Sequence, residues 1–233
     1  MTDREIFKPF VELTARFNST TINKEYKDII IKDYDLVEDG LKSLNKKITS
    51  MFEQIETDPI YQSLKKGING RMESRLLDIL NKIYTRIEKM NKGLYHWDHK
   101  PRNMGWSERQ QKYVLFDLED TLWGPRFYNI GMWIGGDDKD GEKYASREEI
   151  AKTYLDIYNE RNKTNISVDC LLDESYPLWV AYKLETLLYY YYESGPAPYR
   201  LRDRDPKEYK AHMEDRFIRL INLLCNLEIE RNF

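Results

Sequence analysis

Apolar residues recur at three- and four-residue steps over much of the chain, a period that predicts a mainly helical protein. Leu36, Val37, Leu41, Leu44, Ile48, Met51, Phe52 and Ile55 form one such stripe. It closes at Asp58-Pro59, because the residue before a proline is pushed out of the helical region. A second stripe, Met72, Leu76, Ile79, Ile83, Ile87 and Met90, follows Gly67 and Gly70. It predicts a long helix ended by Asn91-Lys92-Gly93, with the glycine as a left-handed C-cap. Leu94-Tyr95-His96 then leads into a polar loop, and the short apolar run Tyr113 to Phe116 reads as a strand. Gly124-Pro125 and Gly135-Gly136 predict a loop-rich stretch up to about residue 145. Ser146-Arg147-Glu148-Glu149 is a capping-box pattern and predicts a helix carrying Ile150, Tyr154, Ile157 and Tyr158. Two more helices are predicted, from Pro177 to Glu193 ahead of the break at Gly195-Pro196-Ala197-Pro198, and from about Pro206 to Ile229. No internal repeat, low-complexity tract or interdomain linker interrupts this order, so residues 1–233 are expected to form a single lobe.

Composition narrows the function. The net charge of -3, with Lys and Arg scattered, leaves no electrostatic footprint for nucleic acid. No apolar run approaches the roughly 20 residues of a membrane-spanning helix. Met1-Thr2-Asp3-Arg4-Glu5 lacks the layout of a secretion signal. Cys170 and Cys225, far apart in apolar surroundings, predict buried free thiols and a reducing cytoplasm. His96 and His99 have no third ligand at zinc spacing. Asp137-Asp138-Lys139-Asp140-Gly141 lacks the closing Glu of a calcium loop and reads as a solvated turn. The run Tyr189 to Tyr192 is divided by a helix between core and surface, which argues against a stacking platform.

The chemistry lies in His96-Trp97-Asp98-His99-Lys100-Pro101-Arg102-Asn103. An Asp and an Asn held on one tight loop can serve two halves of phosphoryl transfer: Asp98 accepts the proton of an attacking hydroxyl, and the Asn103 amide oxygen reaches a nucleotide-bound magnesium ion. Asp117, in Phe116-Asp117-Leu118-Glu119-Asp120, stands where a metal-chelating acid is wanted. Turn chemistry alone explains a lone Asp in a loop, but not the joint pattern with Pro101 between and Asp117 beyond.

His96-x-Asp98-x-x-x-x-Asn103 followed by Asp117 resembles the catalytic loop and metal Asp of the aminoglycoside phosphotransferase and choline kinase group, which shares the protein-kinase-like fold. The resemblance is specific over residues 94–133, the catalytic loop and metal-binding segment, and architectural elsewhere; Phe10 to Phe17 resembles the helix that opens the large lobe. It implies a mainly α (α+β) fold: a kinase-like helical lobe with a short β-hairpin carrying the catalytic and metal-binding loop. It also implies Asp98 and Lys100 as catalytic residues, Asn103 and Asp117 at the cofactor, and Asn103, Asp117 and Glu119 on the metal. Glu119, two residues after Asp117, would share its strand face. His96 is implied to be structural, bonding the loop backbone near Asp117.

Two departures stand out. Asn129, in Gly124-Pro125-Arg126-Phe127-Tyr128-Asn129, replaces the Asp that braces the catalytic loop in the family, keeping hydrogen bonds but no charge. No glycine-rich loop or strand lysine marks a small N-terminal β lobe; Ile29-Ile30-Ile31-Lys32 imitates the lysine strand only locally. The chain thus resembles the large lobe alone, and little turnover is expected from it unaided.

The resemblance implies an ATP- (or GTP-) and Mg2+-dependent phosphotransferase acting on a hydroxyl of a small cationic molecule, of aminoglycoside or amino alcohol type. Asp173, Glu174, Glu185 and Glu193 are the acids available for such an acceptor. The expected partners are nucleotide, acceptor, and a separate small lobe or a second copy, with no nucleic acid and no membrane. Two alternatives stay open: a non-catalytic kinase-like ligand- or partner-binding module, and a helical interaction protein whose motif is accidental.

Overall fold

Phe7, Phe10, Val11, Thr14, Ala15 and Asn18 recur at helical spacing and are all buried, so the first helix turns one continuous stripe inward. The structure is a computed structural model describing residues 3–20, 43, 45–46, 48–50, 52–53, 72–136 and 145–188. In chain order its regular elements are helix α1 (Asp3–Asn18), helix α2 (Met72–Glu88), strand β1 (Lys92–His96), a 3-10 turn at Pro101–Asn103, strands β2 (Met104–Ser107), β3 (Lys112–Leu115) and β4 (Thr121–Pro125), and helices α3 (Tyr128–Ile134), α4 (Arg147–Asn162) and α5 (Val168–Leu188). The chain divides into two compact units, Met1–Asp35 with Arg86–Val180, and Leu36–Thr85 with Ala181–Phe233.

The first unit holds the candidate chemistry. Strands β1 and β4 pair antiparallel, with Leu94 opposite Trp123 and His96 opposite Thr121. A second antiparallel ribbon pairs β2 with β3, Met104 opposite Leu115 and Trp106 opposite Tyr113. Helices α1 and α4 pack together, and Phe127 meets the α4 rings of Tyr154 and Tyr158 edge-on at 6.0 and 5.3 Å. The expected capping box opens α4: Ser146 Oγ accepts from the Glu149 N–H at 3.2 Å, and the Glu149 carboxylate accepts from the Ser146 N–H at 2.9 Å. In the second unit, Leu76, Ile79, Leu80, Ile83 and Tyr84 of α2 are buried, and the described residues between 43 and 53 are helical, with Ile48 and Phe52 buried.

Several expectations are corrected. Gly93 is not a C-cap: α2 ends at Glu88 and Gly93 lies in β1, opposite Gly124. A Cβ there would stand 3.3 Å from the Arg126 Cα, so the glycine serves close approach of two chain segments. The stretch from Gly124 to Gly135 is not loop-rich, for β4 and α3 occupy most of it. Elements this short carry too few positions to show a period. Helix α5 begins at Val168 and passes through Pro177, where the sequence placed its start. Ser167 Oγ accepts from the Cys170 N–H at 3.2 Å and caps that earlier start. Cys170 is a free thiol as expected but exposed, in the first turn of α5, where burial was predicted.

The stripe at Leu36 to Ile55 lies largely outside the described residues. Ile29 to Lys32, Asp137 to Gly141, Tyr189 to Tyr192, Glu193, the helix at 206–229 and Cys225 lie wholly outside them. Among the described residues no helix is long and apolar enough to cross a membrane.

Gly124→Ala tests the packing under the candidate site. The added methyl would stand 2.6 Å from Cε1 of Tyr95, whose ring is fully buried. The substitution is expected to cost about 1–3 kcal/mol, the range for an overpacked core. A thermal melt checks this; an unchanged midpoint would show that the ring yields.

Candidate active site

Antiparallel pairing of β1 with β4 decides where the two motif segments meet. The loop leaving β1 at His96 and the segment entering β4 at Thr121 sit at the same end of the ribbon, because His96 and Thr121 are opposite each other. The Trp97 N–H donates to the Asp120 carbonyl at 3.0 Å, extending that pairing one step. Asn103 joins the segments a second time: its side-chain amide donates to the Asp98 carbonyl at 3.0 Å, and its backbone carbonyl accepts from the Phe116 N–H at 3.0 Å.

These stitches leave the functional groups available. Asn103 is buried, and its amide nitrogen is turned to Asp98, so Oδ1 is the atom left for a ligand. Among the described residues no donor meets that oxygen. Asp98 is partly exposed, with its carboxylate paired to the Lys100 ammonium. Asp117 is exposed, and its carboxylate has no partner among the described residues. Its backbone is left-handed, φ 60°, a conformation that Asp tolerates better than most residues. His96 holds that turn, its ring Nε2 meeting the Asp117 carbonyl at 2.6 Å. A carbonyl can only accept, so Nε2 carries the proton. The structural role expected of His96 is thus observed.

Glu119 is corrected in one respect. Strand β3 stops at Leu115, so Asp117 and Glu119 share no strand face; Glu119 lies in an exposed turn before β4. The left-handed residue at 117 ends the extended conformation. Among the described residues no three His, Cys, Asp or Glu side chains gather closely enough to hold a metal ion. A divalent cation here would need the Asn103 oxygen and oxygens from nucleotide or water beside Asp117.

His99, to which the sequence assigns no role, ties the Asp98 loop to α1. Thr14 Oγ1 donates to the Phe10 carbonyl at 2.7 Å, and that uses its hydrogen. The 2.7 Å contact between Thr14 Oγ1 and His99 Nε2 must therefore run from the ring N–H to the hydroxyl. Phe10 stacks on the same ring at 4.7 Å. Burial, with a smaller effect of His96, pushes the His99 pKa down to about 3, so the ring is neutral at ordinary pH. The unfolded chain takes up this proton near pH 6.5 and the folded chain near 3, so stability must fall as pH drops through that window. Wild type is expected to lose about 1.4 kcal/mol more per pH unit than His99→Gln between roughly pH 6 and pH 4. Denaturant melts across that range check it; equal slopes would mean the ring is not held neutral.

Asn129, where the sequence resemblance expects a bracing Asp, is fully buried and hydrogen-bonds both backbone groups of His96. Two of the acids expected to attract a cationic acceptor are already engaged. Asp173 pairs with Arg86 at 2.6 Å, and Glu174 with Arg126 at 2.7 Å. The side chain of Glu185, like Glu193, lies outside the described residues.

No protein-family model matches the sequence, and no curated protein does. Solved structures do resemble it. An ethanolamine kinase from Plasmodium vivax superposes over 98% of this chain with TM-score 0.62 and 18% identity. A choline kinase from Cryptosporidium parvum superposes over 94% with TM-score 0.52 and 11% identity. An aminoglycoside phosphotransferase from Alicyclobacillus acidocaldarius gives TM-score 0.49 at 14% identity over 94% of this chain and 66% of its own. The chain spans 63% of the ethanolamine kinase and 66% of the choline kinase. Over the matched part it shares the fold of the ethanolamine kinase and the choline kinase, mostly helical with a small β content.

Proposed function

We propose that this chain carries the phosphoryl-transfer site of a magnesium- and nucleotide-dependent kinase acting on the hydroxyl of a small molecule. The observation that supports it most is the Asn103 stitch: one residue joins the Asp98 loop to the Asp117 segment and still keeps an amide oxygen unbonded. In this proposal Asp98 orients the acceptor hydroxyl and takes its proton. Lys100, paired with Asp98, approaches the transferred phosphate. Asn103 Oδ1 and the Asp117 carboxylate would hold a magnesium ion; both are hard oxygen donors, as that ion requires. Glu119 is a candidate third acid on the exposed turn. The ion, when bound, neutralises charge on the phosphates.

A small amino alcohol is the acceptor class proposed, on the fold shared with an ethanolamine kinase and a choline kinase. Asp173 and Glu174 do not support it, since their charges are matched by arginines. The matched part leaves out about a third of each of these kinases, and a nucleotide-covering lobe would belong to that third, supplied by a longer polypeptide or by a separate one. Exposed Trp97, Phe116 and Leu118, each next to Asp98 or Asp117, offer apolar surface beside the site. The free thiol of Cys170 suits a cytoplasmic setting.

Thermal melting with ATP tests the reading. Nucleotide with magnesium at about 100 times its Kd should stabilise the chain by about 2.7 kcal/mol, and chelating the metal should remove most of that. Equal midpoints with and without magnesium–nucleotide would favour an accidental motif. Stabilisation without phosphate transfer, even with a small lobe supplied, would favour the binding module.

A further inference from the structure

We infer that the entrance to the catalytic loop is held by a chain of uncharged groups, Tyr154–Asn18–Asn129–His96, in which residue 129 must be an amide rather than a carboxylate. The inference rests on the phosphotransfer reading for its effect on turnover but not for the brace itself. Asn129 Oδ1 accepts from the His96 N–H at 3.0 Å, while its Nδ2 donates to the His96 carbonyl at 2.7 Å. These two backbone groups fix the orientation of the amide, because a flip would set donor against donor and acceptor against acceptor. Asn129 Oδ1 also accepts from Asn18 Nδ2 at 3.1 Å, and that nitrogen gives its other hydrogen to the Leu94 carbonyl at 2.7 Å. Asn18 Oδ1 in turn accepts from the Tyr154 hydroxyl at 3.1 Å. Burial holds the Tyr154 pKa well above its ordinary value, so the hydroxyl keeps its proton.

Asn18, Asn129 and Tyr154 are all buried, where an unmatched polar atom is costly. A carboxylate at 129 could accept from His96 and Asn18, but its second oxygen would face the His96 carbonyl, lone pair against lone pair. The side chains thus position the backbone of His96, two residues before Asp98, whose ring holds the Asp117 carbonyl. Helices α1, α3 and α4 each contribute one member, so three elements fix one point at the loop's root.

Two measurements test this. With the complete enzyme, Asn129→Asp is expected to lower kcat about 10-fold or more, the scale of one lost hydrogen bond that leaves a buried carbonyl unmatched, with nucleotide KM little changed. Its kcat relative to wild type should recover as pH falls, because a protonated carboxyl regains the missing donor; a purely structural role would not give that profile. An Asp variant equal to wild type at every pH would overturn the requirement for an amide. Independently of turnover, the His96 amide should exchange with solvent about 10-fold faster or more in Asn129→Ala, while the Trp97 amide keeps its protection. If Asn129→Ala does not fold, Tyr154→Phe should speed His96 exchange roughly 2- to 10-fold, the scale of one hydrogen bond. Unchanged His96 exchange in the folded variant would overturn the brace. If the exchange result holds and wild type transfers no phosphate, the phosphotransfer reading falls and the brace stands.

Discussion

Asp117→Ala is expected to abolish magnesium-dependent nucleotide binding. Its carboxylate is exposed and has no partner among the described residues, while Asn103, whose carbonyl bonds the neighbouring Phe116 N–H, offers only a neutral amide oxygen. Removing the charge would forfeit most of the roughly 2.7 kcal/mol of stabilisation expected from near-saturating ligand. The backbone adds a complication, since Asp117 is left-handed at φ 60°, and alanine pays about 1–2 kcal/mol there that Asp and Asn partly avoid. Asp117→Asn is therefore the sharper variant. It keeps the turn and the His96 contact and loses only the charge. Magnesium-dependent binding that survives in Asp117→Asn and Asp117→Ala alike would remove this residue from the metal site.

Asp98→Asn should lower turnover by about 10²- to 10⁴-fold, the usual worth of a positioned general base. Nucleotide affinity should change little, because in the proposal Asp98 serves the acceptor and Asp117 the metal. The Asn103 bond goes to the Asp98 backbone carbonyl and survives the substitution, so the loop keeps its shape. The partner Lys100 loses its counter-charge in this variant, and Lys100→Ala, itself expected to slow transfer, shows how much of the loss comes through the lysine. Steady-state kinetics with a saturating acceptor separate the two roles. A loss of affinity with unchanged turnover would place Asp98 on the nucleotide instead.

The candidate site was more legible than the fold around it. Asp98, Asn103 and Asp117 were singled out by a spacing that phosphoryl transfer uses, and the structure joins their segments through one side-chain and one backbone hydrogen bond of Asn103. The helical stripes at Phe10 to Phe17 and Leu76 to Ile87 were visible because a long buried face repeats often enough to show its period. Strand β4 and helix α3 were not, being short and set among glycines that read as punctuation. Gly131 and Gly135 instead let α3 lie against Leu178 and Ser175, a contact set by tertiary packing. His99 and Asn18 were missed for another reason. Each matters through a partner far away in the chain, Thr14 for His99 and Asn129 for Asn18, and no local pattern announces such a pair. Asn129 was noticed as a departure, but only the geometry shows its nitrogen donating to the His96 carbonyl.

The most direct measurement is transfer of the ATP γ-phosphate to small amino alcohols, such as ethanolamine and choline, by this chain alone and with a kinase-type small lobe supplied in trans. Magnesium-dependent formation of a phosphoester, greatest with the small lobe present and lost in Asp98→Asn, is the expected result. Intact magnesium–nucleotide binding with no phosphoester formed under either condition would contradict the proposed activity and leave a kinase-like binding module.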